Sequence, residues 1–304
     1  MDMRIIEAAV GAYRGILPAR QVVLLDFFKG LWVIQQQLSA LKGDTAVVPD
    51  ALGAPDAPDT LAESASRPRL LPKSDLEAAY WAQTPLLSLA PAALDPEAFA
   101  QALEQIATYM VQNAGFGSAV CEALSSYDWE AFVAASDFAQ AGVDPHAYLA
   151  SCASLIELSA AGDASAAAPT TAKPLLLVVA YALRTQLEPA AQRLMGTLDV
   201  KEGNTIHSKP LHCPVCGGAA TSAFVGETPS SLGKGRLLWC STCGTHWEFE
   251  RLRCAVCGTQ NQGKLHYYHI AGDDTHRLHL CDACGNSMRT TFQDELKAPF
   301  SFEV

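Results

Sequence analysis

Eight of the chain's ten cysteines fall into four CxxCG units: Cys213/Cys216, Cys240/Cys243, Cys254/Cys257 and Cys281/Cys284. The interval from Cys213 to Cys240 is 27 residues, and so is that from Cys254 to Cys281. The region is therefore a tandem repeat, CPVCG-x22-CSTCG followed by CAVCG-x22-CDACG. Two thiolates three residues apart on a tight turn reach one ion at about 2.3 Å, and a second such turn completes a tetrahedron. The glycine closing each unit (Gly217, Gly244, Gly258, Gly285) permits a positive φ, which lets backbone N–H groups turn toward the sulfurs. The expectation is two metal ions in two tetrathiolate sites. Pairing within each repeat closes each site locally, while interleaving of the first unit with the third stays open on spacing alone. A tetrahedron of four sulfurs suits zinc and iron equally.

Other chemistry is poorly supplied. Haem attachment requires CxxCH, and a thioredoxin-like dithiol needs a βαβ setting that these short glycine-rich segments do not provide. Cys121 and Cys152 lie among apolar residues in helical stretches and read as small buried hydrophobes. Tyr267, Tyr268 and His269 adjoin one another in GKLHYYHI, but eight thiolates already saturate two tetrahedra, so the histidines are assigned structural or surface roles. No nucleophile–base pair, phosphate loop or carboxylate dyad is visible. Nothing here looks like an active site.

Residues 1–204 must hold these sites in place, and they read as helical. Leu24, Phe28, Leu31 and Leu38 share one helical face, as do Phe99, Leu103, Ile106 and Met110. Asp95-Pro96 and Asp144-Pro145 each supply an acceptor at a helix N-cap with proline after it. Trp32, Trp81 and Trp129 fit core packing. Residues 43–72 and 160–174, rich in Ala, Pro, Asp and Ser, read as loops, with the helical pattern resuming at 175–198. Beyond residue 204 lie all the CxxCG units and seven of the eight histidines, so the boundary is expected there. The modules are then 205–249 and 250–304, and loss of the first site should leave the helical domain folded.

Residues 1–200 hold 11 basic against 22 acidic side chains, while residues 201–304 hold 10 of each. The net charge of −11 opposes nucleic acid as a partner and suits a basic one. The longest apolar run, LLLVVAYAL at 175–183, is about half of a bilayer span, so it reads as a buried helix segment and no membrane insertion is expected. The first residues show no signal peptide, which gives a cytoplasmic expectation. In that compartment close cysteines mean metal or redox chemistry rather than disulfides.

CPVCG, GRLLWCSTCGTHWEFERLRCAVCG, GKLHYY and CDACGNSMRT together resemble the accessory proteins needed to form active formate dehydrogenase, the FdhE family. The particular likenesses are Trp247 four residues after the second unit, Arg251, Cys254 three later, and Gly263-Lys264-Leu265 leading into aromatics. The resemblance implies an α+β chain, in which an N-terminal all-helical domain precedes two tandem rubredoxin-like or zinc-ribbon modules. It also implies a chaperone for the catalytic (alpha) subunit of a molybdenum or tungsten formate dehydrogenase, with iron favoured over zinc. Trp247 and Arg251 are possible partner contacts, against a plainer role in packing and ion pairing. A rubredoxin-like electron carrier is the alternative, followed by a zinc-ribbon nucleic-acid binder. Relatives continue into a helical tail past the last unit, whereas twenty residues follow Cys284 here.

Overall fold

The computed structural model describes residues 1–40, 71–162, 169–199, 208–228 and 233–304. Most of the expected loop at 43–72 and the expected boundary at 204 lie outside these residues. The helical part comprises α1 (Met3–Arg14), α2 (Ala19–Ala40), α3 (Lys73–Trp81), α4 (Leu86–Leu89), α5 (Pro96–Asn113), α6 (Ser118–Ser126), α7 (Trp129–Ala135), α8 (Phe138–Ala141), α9 (Pro145–Gly162) and α10 (Pro169–Thr197).

Local signals explain the starts. Asp95 accepts hydrogen bonds from the backbone N–H groups of Glu97 and Ala98, with Pro96 opening α5 where no helical donor is needed. Asp144 does the same for His146 and Ala147 at α9. The stripe of α5, Phe99, Leu103, Ile106 and Met110, is buried as its spacing requires. In α2 the stripe shifts along its length. Leu31 and Leu38 are buried, but Leu24 is 56% exposed, and Leu25 instead joins Phe28 in packing around Ile6, Val10 and Trp32. The first half of α2 packs on α1 through Leu25 and Phe28, while Phe27 stacks on Tyr109 of α5, so both partners set its inward face.

α10 begins at Pro169, six residues before the start of the expected apolar run, so residues 169–174 are helix rather than loop. Pro169 opens the helix where a missing donor is harmless, while Pro174 and Pro189 each remove one from the ladder. The run at 175–183 is buried at Leu175, Val178, Val179, Ala182 and Leu183, in the centre of the helical core. No helix among the described residues is long and apolar enough to cross a membrane. Cys152 is fully buried there, and burial pushes its thiol up to about 11. Cys121 is only half-buried.

Six strands follow: β1 (Ser222–Glu227), β2 (Lys234–Trp239), β3 (His246–Phe249), β4 (Leu265–His269), β5 (His276–Cys281) and β6 (Ser287–Phe292). Each repeat folds as a three-stranded antiparallel meander. The two meanders join into one sheet, ordered β3-β2-β1-β6-β5-β4, through a parallel pairing of β1 with β6 (Ala223 opposite Thr290, Val225 opposite Phe292). The first repeat thus contributes its first strand to the seam and the second contributes its third. The expected mixture of a helical part and two four-cysteine modules is what the chain adopts.

Helices and sheet share one core. Leu86 and Leu87 donate their N–H groups to the carbonyls of Pro214 and Val215, inside the first CxxCG turn. Cys213, Val215, Cys216, Leu238 and Trp247 are continuous with the apolar cluster of α5 and α10. The residues after β6 cover this junction: Phe300 stacks on Phe224 at 4.0 Å and Phe302 on Trp239 at 5.7 Å. Arg184 of α10 is buried between Glu188 (3.0 Å) and Glu303 (2.7 Å), with its guanidinium 5.0 Å from the Trp239 ring. Replacing Arg184 by Met leaves the buried Glu303 carboxylate without its cation and takes one of two from Glu188, which keeps the Met1 ammonium. A loss of about 3–5 kcal/mol is expected, read as a lower urea midpoint.

Candidate metal centres

The four CxxCG units adopt one conformation four times. In each, the first cysteine's N–H donates to the carbonyl five residues on, pairing Cys213 with Gly218, Cys240 with Thr245, Cys254 with Thr259 and Cys281 with Asn286. The closing glycine's N–H then donates back to the first cysteine's carbonyl. That turn requires positive φ, and Gly217, Gly244, Gly258 and Gly285 lie between 71° and 77°. Alanine at Gly285 meets open space and suffers only backbone strain, about 1–2 kcal/mol. Alanine at Gly217 adds a Cβ 2.9 Å from Pro85 Cγ, so thermal melts should show the larger loss for Gly217→Ala.

The turns bring the sulfurs together within each repeat. Cys213, Cys216, Cys240 and Cys243 form one group and Cys254, Cys257, Cys281 and Cys284 the other, each within 4.8 Å. Sequential grouping therefore holds, and the interleaved arrangement is set aside. Cross-pair sulfur distances are 3.5 Å for Cys213–Cys243 and Cys216–Cys240, and 3.9 and 3.7 Å for Cys254–Cys284 and Cys257–Cys281. A tetrahedron with metal–sulfur bonds of about 2.3 Å has edges of about 3.8 Å, so both groups fit an ion. Each group can bind one metal ion through four thiolates.

The surroundings of the two groups differ. All four sulfurs of the first belong to buried residues, whereas Cys257 is exposed and Cys284 half-buried in the second. Burial pushes the Cys213 thiol well up, since a thiolate there has neither water nor a cation. An ion supplies that cation. The first group also takes polar support from outside its repeat: His146 Nε2, at the start of α9, lies 3.4 Å from Cys216 Sγ. The Thr245 hydroxyl is 3.1 Å from Cys243 Sγ. At the second group the backbone N–H groups of Val256 and Cys257 point at Cys254 Sγ, at 3.4 and 3.5 Å.

Residues 212–251, the first repeat, match the family described as "FdhE, central domain". The resemblance to the FdhE family is borne out. An FdhE homologue from Aquifex aeolicus is 31% identical over 78 residues, covering 26% of this chain and 27% of that protein. Another from Rhizobium meliloti is 31% identical over 121 residues, covering 39% and 37%. The matched stretches thus span about a third of these relatives' length or less. The crystal structure of the FdhE protein from Pseudomonas aeruginosa aligns over 95% of this chain and 79% of its own, at 17% identity and a TM-score of 0.44, a likeness too low to decide anything further.

Beyond the cysteines, the FdhE-like residues singled out by sequence take different places. Trp247 is buried and its Nε1 donates to the Pro210 carbonyl at 2.9 Å, while Arg251 is exposed. Three histidines of this region pair with aspartates: His266 with Asp282, His269 with Asp274 and His276 with Asp273. His279 is buried against Tyr267, and burial, then Arg236, holds it down to about 4, so it stays neutral. Among the described residues both metal-binding groups are made of cysteines alone. His146 was missed by sequence reasoning. Its only signal was to be the one histidine outside the cysteine-rich region.

Proposed function

We propose that this chain is a cytoplasmic accessory protein that binds the catalytic subunit of a molybdenum or tungsten formate dehydrogenase and promotes its maturation, without itself being an enzyme. The observation that carries this reading is the FdhE central-domain match on 212–251, the segment that builds the first four-cysteine group. Both metals hold recognition surfaces in shape: Cys213, Cys216, Cys240 and Cys243 ligate one, and Cys254, Cys257, Cys281 and Cys284 the other, with iron the favoured ion. Arg251, exposed beside the second repeat, is the proposed client contact. Trp247 supports that contact from within.

A protein that must hold an immature subunit and release it needs only moderate affinity, about 8 kcal/mol or micromolar. Affinity capture of the tagged chain from its own cells, with mass spectrometry, should recover the catalytic subunit. Deleting the gene should lower formate dehydrogenase activity more than subunit abundance. A capture without the subunit, joined to full activity in the deletion strain, would refute the reading.

A second reading, a rubredoxin-like electron carrier, is favoured by the exposure of Cys257, since electron exchange needs a centre near the surface. Anaerobically purified protein then shows ferric–thiolate absorption that bleaches on reduction. Zinc as the native metal eliminates this second reading and leaves the accessory role standing.

A further inference from the structure

Arg236 lies on β2 with 1% of its surface exposed, deep between the two repeats. Its Nη1 donates to the carbonyl of Arg253 at 3.0 Å, and Nη2 lies 3.7 Å from Met288 Sδ. Its Nε is buried with no hydrogen-bond partner, and no carboxylate pairs with it among the described residues. The guanidinium sits 5.7 Å from the Phe249 ring centre. The other arginine at that ring has different company. Arg253, 5.0 Å from the same ring, has Glu250 at 3.2 Å, so only one of the two arginines carries its own counter-charge.

A buried cation without an anion is strongly disfavoured. The missing anion is close by. The Arg253 carbonyl that Arg236 grips belongs to the peptide bond leading into Cys254, and Arg236 lines one small cavity together with Cys254 and Cys281. A divalent ion with four thiolates leaves that group at −2. Among the described residues the first group has no such neighbour: Arg184 is already held by two glutamates, and the group's sulfurs are supported by His146 and Thr245.

We infer that Arg236 is the buried counter-cation of the second four-cysteine group, a positioning residue that strengthens metal binding there and not at the first group. This rests on the reading that both groups take a metal ion. Arg236 neutralises part of the thiolate charge through the Cys254 side, and the loaded group in turn satisfies the orphaned guanidinium. The second group, partly open to water, thereby keeps an ion that burial, His146 and Thr245 hold at the first.

Cobalt(II) is the probe metal, since its sulfur charge-transfer bands report tetrathiolate ligation. It is titrated into the full metal-stripped chain against a competing chelator. Wild type takes up two ions. Arg236→Met is expected to weaken one of them about tenfold, on the scale of outer-shell ligand support. Arg236→Lys, which keeps the charge, should recover most of the loss. In a chain already carrying Cys254→Ser and Cys257→Ser, the methionine change should leave the remaining ion unaffected. Unchanged affinity in Arg236→Met, or lysine no better than methionine, overturns the inference. If the methionine variant does not fold, Arg236→Gln is read in its place. A wild type that takes up a single cobalt ion would instead refute the two-site reading.

Discussion

Serine at both Cys213 and Cys216 is expected to unfold the helical part along with its own repeat, whereas serine at both Cys254 and Cys257 removes one ion and leaves the helices intact. The asymmetry follows from packing. A structural tetrathiolate site contributes about 10–16 kcal/mol of apparent binding energy to folding in small domains. A whole domain is stable by only about 5–15 kcal/mol. The loss is tolerable only where the rest of the core does not depend on the site. Cys213, Val215 and Cys216 are buried in the cluster that includes Phe99, Ile106 and Leu183, and α4 is tied to the first turn by two backbone hydrogen bonds. Serine there also buries hydroxyls where thiols sat. At the second group Cys257 is exposed, and among its cysteines none belongs to that cluster. The sequence alone suggested a helical domain indifferent to either site; the shared core changes that expectation for the first. Far-UV circular dichroism against temperature, with metal per chain on the same samples, decides it. A cooperative helical transition of wild-type midpoint in Cys213→Ser/Cys216→Ser would show that the two parts fold independently.

What the sequence revealed and what it hid divide along one physical line. Features fixed by residues close in the chain were legible. The CxxCG turns repeat every backbone bond four times because each depends on six consecutive residues. The caps at Asp95 and Asp144 depend on four. Features fixed by distant pairings were not. The parallel β1–β6 seam joins strands more than sixty residues apart and leaves no local pattern. His146 meets Cys216 only because α9 is laid across the first turn. Arg236 was hidden for another reason. Alternation along KGRLLW places it on the same face as buried Leu238, but a charged side chain is normally read as exposed, and type outweighed position. The start of α10 was obscured in the same way, by prolines and small residues that signal a loop until tertiary packing recruits them into a helix.

Chelator challenge of the native metalloprotein is expected to proceed in two steps, with the ion of the second group leaving first. Extraction from a tetrathiolate site requires a competing ligand to reach the ion as a sulfur swings away. At the second group Cys257 is exposed and Cys284 half-buried, so a chelator arm reaches that side directly. At the first group every cysteine is buried, and its two turns are held by Leu86, Leu87, His146 and Thr245. Releasing a sulfur there means breaking contacts with α4 and α9, a local unfolding rather than a side-chain rotation. Outer-shell partners of this kind change metal affinity by roughly 10–100-fold, and the rates should separate at least as far. Helical signal should persist through the first step and fall during the second, tying the slow ion to the shared core. Replacing His146 by Ala removes one of those contacts without touching a ligand, so it should accelerate the slow step and leave the fast one alone. Single-phase release, or acceleration of the fast step by His146→Ala, would mean that burial around the first group does not govern its hold on the ion.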